Sequence, residues 1–284
     1  MLQVNIQKKK LPGKELINKY KPLKVISINT KGKLMWFELR SNDNQDIFII
    51  NNFGLTANWS FYTDKSDRII FDIETHPDQP EKNKKYKLHY SDARNFGLMQ
   101  ITNNRQILDD KINKLAPDLL KSNFTPQDFK RWVNEYLSKS SKRRDVPIVK
   151  ALLRQDKKDG IASGIGNYLS SEILYRSKIS PYTKVGDLTD AQLTTLANTI
   201  KYVVKLCYMS NITGYMKKLA HFIPKHKEQV RKGVFPNYHP DIKLNADQFA
   251  FLVYARKEDD LGNKVERDNI ETTRTTYWVP AVQK

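Results

Sequence analysis

At 284 residues and 39% hydrophobic content, the chain is long enough for two modest domains and a small appendage, with real cores. Its 49 Lys and Arg against 31 Asp and Glu give a formal charge of +18 and a pI near 9.7, an excess that attracts polyanions. The single cysteine, Cys207, excludes an intramolecular disulfide and a Cys-based zinc site, and no apolar run approaches the ~18 residues needed to cross a bilayer.

Basic and aromatic residues are interleaved along the chain rather than gathered on one amphipathic helix, which favours nucleic acid over a membrane surface. A uniformly lysine-rich composition, as AT-rich coding produces, would raise the charge without any partner. The run Lys8-Lys9-Lys10 follows a short mixed segment and not the apolar block of a secretory signal. The expected location is therefore nucleus, cytoplasm or a viral factory rather than outside the cell, and no membrane partner is expected.

From Lys24 to Ile101 short apolar runs alternate with polar turns: Lys33–Leu39, Ile47–Ile50, Ile69–Ile73, Leu88–Tyr90 and Leu98–Ile101. This spacing predicts antiparallel strands in a sandwich or barrel, with Asp78–Lys85 as an exposed loop. After Asn104 the period changes. Ile107, Leu108, Ile112 and Leu115 fall at helical spacing, Pro117 follows, and Phe129, Val133 and Tyr136 continue in the same style. The stretch Ser138-Lys139-Ser140-Ser141-Lys142-Arg143-Arg144 has no apolar residue and four positive charges, which predicts a solvated linker between domains. Thr189 opens a capping box with Gln192, and Leu193, Leu196, Ile200, Val203 and Cys207 form one apolar stripe, so Cys207 is expected to be a small buried hydrophobe. At the C-terminus, Phe251–Arg256 and Thr272–Val279 have β character about a turn at Leu261-Gly262-Asn263, which predicts a hairpin that its neighbours must brace.

Between the apolar Ile148–Leu153 segment and a helix over Leu169–Tyr175 lies Ser163-Gly164-Ile165-Gly166-Asn167-Tyr168. Two glycines let backbone approach a phosphate, and the following helix start aims its amides and dipole there; alone, the pattern also describes a tight interhelical turn capped by Asn167. Together with Ser171-Glu172-Ile173-Leu174-Tyr175 and Ile179-Ser180-Pro181, it resembles the helix-two-turn-helix of the formamidopyrimidine-DNA glycosylase and endonuclease VIII family. The stretch from Leu153 to Gly164 is a few residues longer than the family pattern. The resemblance implies that Asn167 binds the DNA backbone beside a lesion and that Glu172 lies near the active site. The alternative for Glu172 is a carboxylate complementing the helix dipole.

Tyr90-Ser91-Asp92-Ala93-Arg94-Asn95-Phe96-Gly97 is similar to the family's Asp-Pro-Arg-Arg-Phe-Gly loop, which implies intercalating roles for Arg94 and Phe96. An everted nucleotide leaves a hole that an aromatic can wedge into while a guanidinium bonds the orphaned base; the alternative is a strand-turn-strand with a core Phe. Asn52-Phe53-Gly54-Leu55-Thr56-Ala57 is similar to His-Leu-Gly-Met-Ser-Gly, and so implies that Leu55 is a third void-filling side chain rather than an ordinary strand-end Leu. Lys33 matches a lysine that touches a phosphate near the reacting sugar, where the alternative is a surface charge. The end of the chain, Thr272-Thr273-Arg274-Thr275-Thr276-Tyr277-Trp278-Val279-Pro280-Ala281-Val282-Gln283, resembles the finger sequence Arg-Ser-Thr-Phe-Tyr-Cys-x-x-Cys-Gln with Val279 and Val282 at the cysteine positions. This implies a zincless finger held by apolar packing, with no metal or other cofactor, in which Arg274 grips phosphate.

The matches run in order from about Leu11 to Lys284, nearest in type to zincless viral and animal endonuclease VIII relatives. The expected fold class is α+β: an incomplete N-terminal antiparallel β-sandwich with terminal helices at 1–138, a helical DNA-binding domain at 145–250, and a zincless β-hairpin finger at 251–284. Family enzymes attack the sugar C1′ with an N-terminal proline amine, an α-amino group of pKa ~8 being neutral far more readily than a lysine. This sequence begins Met1-Leu2-Gln3-Val4, and aligning Lys33 leaves the family's opening helix and strand without a counterpart. Three accounts follow: an incomplete sequence of an active enzyme, a remnant that binds damaged or abasic DNA without chemistry, or a lysine such as Lys33 as substitute nucleophile. The resemblance implies a DNA glycosylase with abasic-site lyase activity on oxidised bases, a monomer on double-stranded damaged DNA. A separate reading is a single-strand or RNA binder stacking bases on Trp36, Trp59, Trp132 and Trp278, although Trp36 and Trp132 are more simply core residues.

Overall fold

The computed structural model describes residues 3–6, 11–53, 57–75, 83–120, 123–219, 242–246, 248–271 and 274–284. They divide into two compact units, 1–114 and 115–284. Most of the predicted Asp78–Lys85 loop, Leu55, and the Thr272-Thr273 pair lie outside the described residues.

The first unit holds two four-stranded antiparallel sheets. One runs in the order β1 (Gln3–Ile6), β6 (Asp67–Glu74), β7 (Lys85–Asp92), β5 (Ala57–Ser60). The other runs β2 (Leu23–Lys31), β3 (Leu34–Ser41), β4 (Asp46–Asn52), β8 (Leu98–Thr102). Phe37, Leu39, Ile47 and Ile49 from the second sheet share one core with Ile69, Phe71 and Tyr90 from the first and with Ile17 of α1 (Lys14–Tyr20), which makes the pair a sandwich. Trp59 centres this core, its ring 5.1 Å from Phe37, 5.6 Å from Phe71 and 5.0 Å from Tyr90. Five successive residues of β4, Ile47–Asn51, are buried, so the strand is covered on both faces; α2 (Arg105–Lys114) lies over the outer one, with the Arg105 guanidinium 5.5 Å from the Phe48 ring centre.

The second unit is helical and carries the C-terminal hairpin. α3 (Pro126–Ser138), α4 (Ile148–Leu153), α5 (Asn167–Arg176) and α6 (Asp190–Leu219) bury one apolar cluster. The Thr189 box forms, its hydroxyl accepting from the Gln192 amide at 3.2 Å while the Gln192 side chain accepts from the Thr189 amide at 3.0 Å. Cys207 is buried, and burial pushes its thiol up, as suits a core residue.

Two expectations are corrected. The chain divides after Lys114 and not at Ser138–Arg144, because Phe129, Val133 and Tyr136 belong to the helical core. The basic run is one turn of 3-10 helix, Ser141–Asp145, secured by Arg143, which donates to the Tyr136 carbonyl at 3.2 Å and lies 4.8 Å from its ring centre. The hairpin also sits one step later than predicted: β9 (Glu266–Glu271) pairs with β10 (Arg274–Trp278), and Phe251–Arg256 is a turn with Ala255 in left-handed conformation at φ 62°.

Candidate nucleic-acid interface

In the first unit the strand register gathers Lys33, Arg94 and Phe96 at one end of the sandwich. Leu34 pairs with Asn52 and Asn52 with Leu98, while Ala57 pairs with Asp92. The Gly32-Lys33 turn, the β4–β5 crossing and the β7–β8 crossing therefore leave from adjacent strand ends. Gly32, at φ 54°, opens the two-residue turn that leaves Lys33 exposed. Asn52 and Ala57 flank the crossing that contains Leu55.

The β7–β8 crossing has a buried base and an exposed tip. At the base, the Asp92 carboxylate accepts from the Gly97 amide at 2.7 Å, and the Asp92 carbonyl accepts from the Asn95 amide at 3.2 Å and the Arg68 guanidinium at 3.0 Å. Asn51 adds bonds to the Leu98 carbonyl at 3.1 Å and the Trp59 indole at 3.2 Å. A Cβ on Gly97 would stand 2.0 Å from the Tyr90 hydroxyl, so only glycine lets the chain return this closely. Asn95, at φ 57°, turns the tip outwards: Arg94 and Asn95 are exposed and Phe96 is 68% exposed. Phe96 is not a core residue.

In the second unit Asn167 is the first residue of α5, behind Gly164 at φ 114° and Gly166, whose N-cap position brings no side-chain hydrogen bond to the helix amides. Those amides point out of the helix start with the positive end of its dipole. Asn167 Nδ2 donates to the Thr275 carbonyl of β10 at 2.8 Å, and one turn on, the Ser171 hydroxyl accepts from the Tyr277 amide at 3.2 Å. These bonds pin the backbone beside exposed Arg274 to the first turn of α5. Glu172 is wholly buried, its carboxylate accepting from the amides of Leu252, Val253 and Tyr254 at 2.9–3.0 Å. Committed to three amides and closed to solvent, it holds the chain that leads into the finger and has no face open to a substrate.

Val279 is fully buried with Val253 and Val265, and Val282 packs against them, so both residues at the family's cysteine positions are part of an apolar cluster. The knuckle before it is organised by Asp259, which sequence reasoning missed. Its carboxylate accepts from the amides of Leu261 and Asn263, the Asn263 side chain and the Tyr175 hydroxyl at 2.8–3.0 Å. Burial and the neighbouring Asp259 carboxylate push the Tyr175 phenol up to about 12, so it remains a donor. The local signal was legible: Asp259-Asp260-Leu261-Gly262-Asn263 is a side-chain-to-backbone turn sequence. All four tryptophans are packed: Trp36 is buried, Trp59 centres the sandwich core, Trp132 lies on the helical core and Trp278 sits 5.4 Å from Tyr182. Trp36, Trp59 and Trp132 therefore serve the cores rather than a stacking surface. Among the described residues no helix is long and apolar enough to cross a membrane, and no group of His, Cys, Asp and Glu could hold a metal ion.

The family model described as "Formamidopyrimidine-DNA glycosylase C-terminal domain" matches residues 240–284. The formamidopyrimidine-DNA glycosylase of Ligilactobacillus salivarius is 28% identical over 192 residues, which are 66% of this chain and 60% of that protein. That of Bartonella tribocorum is 25% identical over 282 residues, 92% of this chain and 84% of the relative. Among solved structures, a complex between the Lactococcus lactis Fpg and DNA containing an abasic site has the same fold, with a TM-score of 0.63 at 16% identity over 99% of this chain and 91% of that one.

Proposed function

Because the chain belongs to the formamidopyrimidine-DNA glycosylase family, we propose that it recognises damaged double-stranded DNA as a monomer in base excision repair. In this reading it acts inside the cell, in nucleus or cytoplasm, as a DNA glycosylase with abasic-site lyase activity on oxidised bases. The observation that carries it is the bond from Asn167 to the Thr275 carbonyl, which sets an exposed arginine beside a glycine-lined helix start. A phosphate at that point meets the first-turn amides of α5, the second hydrogen of Asn167 Nδ2 and the Arg274 guanidinium, a charge-assisted donor set suited to one backbone anion.

The first unit supplies the complementary part. Phe96 and Arg94 stand on a pinned loop and suit the void left by an everted nucleotide, with Leu55 as the third filler by resemblance. Lys33 suits a phosphate near the reacting sugar. Glu172 serves by positioning the finger, a role its buried carboxylate supports better than proton transfer. That commitment is also what favours a second reading, damaged-DNA binding without chemistry.

Borohydride trapping on a duplex with one abasic site separates the two. In the enzymatic reading an amine of the protein condenses with the sugar C1′, water leaves, and hydride reduces the imine to a stable covalent adduct. Tight, salt-dependent binding with no adduct would retain the binding reading alone. Unchanged binding by an Asn167→Ala, Arg274→Ala double variant would remove both.

A further inference from the structure

Two basic segments outside this recognition surface meet in the second unit. Residues Arg154–Gly160 form the turn that lengthens the connection between α4 and α5. Asp156 shapes it, the carboxylate accepting from the Asp159 amide at 2.8 Å and the carbonyl from the Gly160 amide at 2.9 Å. A Cβ on Gly160 would stand 2.2 Å from the Arg154 carbonyl oxygen, which keeps the turn tight. Against it lies the 3-10 segment Ser141–Asp145: the Lys139 ammonium donates to the Lys157 carbonyl, and Arg143 lies 3.5 Å from the Asp159 carboxylate.

Exposed Lys139, Lys142, Lys157 and Lys158 are thereby brought onto two adjoining segments. The neighbouring acids are already engaged, Asp159 by Arg143 and Asp145 by Lys184 at 2.8 Å, and among the described residues no carboxylate pairs with Lys142, Lys157 or Lys158. The ridge is also continuous with the Gly164–Asn167 turn. Gln155 accepts from the Gly164 amide at 2.8 Å and donates to the Ile165 carbonyl at 2.9 Å, while Arg154 pairs with Glu271 of β9 at 2.9 Å. Gln155 thus lies within the basic turn and touches Gly164 of the α5 approach.

We propose that this ridge is a second backbone-contacting surface for duplex DNA, taking phosphates of the flank beyond the one seated at Asn167 and Arg274. It rests on the DNA-binding reading above. Lys142, Lys157 and Lys158, with no carboxylate partner among the described residues, favour a polyanionic ligand, and a duplex presents one charge about every 1.7 Å along its axis. Lysines suit this use, since they meet phosphate as adaptable point charges without a fixed bidentate geometry.

The test measures binding of the full chain to an abasic-site duplex of about 30 base pairs across a salt series, for wild type and for a Lys157→Gln, Lys158→Gln variant. Loss of two phosphate contacts lowers the slope of log affinity against log salt by about 1.8, so the wild-type advantage shrinks roughly twelvefold between 50 and 200 mM salt. Lys157→Arg, Lys158→Arg keeps the wild-type slope, and trimming the flank from one end of the duplex brings wild type down to the glutamine variant's slope. Equal slopes for wild type and the glutamine variant on the untrimmed duplex overturn the proposal. Arg274→Ala is the separate control: it weakens binding on trimmed and untrimmed duplex alike, and if it does not, the DNA-binding reading fails, whatever the lysines do.

Discussion

In the first unit the residues proposed to meet DNA stand outside the packing, on a loop whose base is buried; in the second, Asn167 and Glu172 are part of the packing and only Arg274 stands clear of it. Phe96 is 68% exposed above an Asp92–Gly97 bond, whereas Asn167 spends one of its donors on the finger backbone and Glu172 is wholly enclosed. Recognition and stability are thus separable in the sandwich and joined in the helical unit.

The largest expected effect lies in the joined half. Glu172→Ala leaves three amides without an acceptor in a closed site and costs about 3 kcal/mol. It appears as a lower Tm and faster hydrogen exchange at Leu252, Val253 and Tyr254; an unchanged Tm would mean the clamp is idle. Next comes Gly97→Ala, whose added methyl meets the Tyr90 hydroxyl at 2.0 Å. It destabilises the sandwich by about 2 kcal/mol, read from the urea midpoint, and wild-type stability there would show that the loop base can shift freely. Phe96→Ala sharpens the contrast from the other side. Stability stays within about 0.5 kcal/mol of wild type, while the preference for abasic over undamaged duplex falls roughly tenfold in competition binding, as for loss of one stacking contact.

The smallest effect concerns the finger at low pH. Burial alone would push Asp259 up, but donors from Asn263, Tyr175 and Leu261 outweigh it and hold the carboxyl below its ordinary range. A depressed folded value means that its contribution is complete above the ordinary Asp value near pH ~4 and is lost as pH falls through the folded value. Trp278 fluorescence followed from pH 5 downwards should report the finger loosening in wild type. Asp259→Asn should remove that acid transition; an identical transition in the variant would assign it to another group.

The sandwich was legible because its strands carry their own pattern, and the register then brought the Lys33 turn and the Arg94–Phe96 loop to one end. The Asn167 turn was equally legible, since glycines before a helix start state their purpose locally. What escaped was set by partners far along the chain. Phe251–Arg256 has β-like residues, yet the amides of Leu252, Val253 and Tyr254 are taken by a carboxylate 80 residues or more away, which leaves none for a ladder. The basic run at Ser138–Arg144 reads as a linker, because nothing in it shows that Arg143 will pack over Tyr136 on the preceding helix.

The division of labour in the Asp92–Gly97 crossing has a practical corollary. Since Tyr90, Asp92 and Gly97 fix where the segment begins and ends and Asn95 holds the left-handed bend, positions 93, 94 and 96 behave as an interchangeable cartridge. Libraries that randomise those positions alone should yield folded proteins at high frequency, so that new lesion preferences could be selected without rebuilding the scaffold.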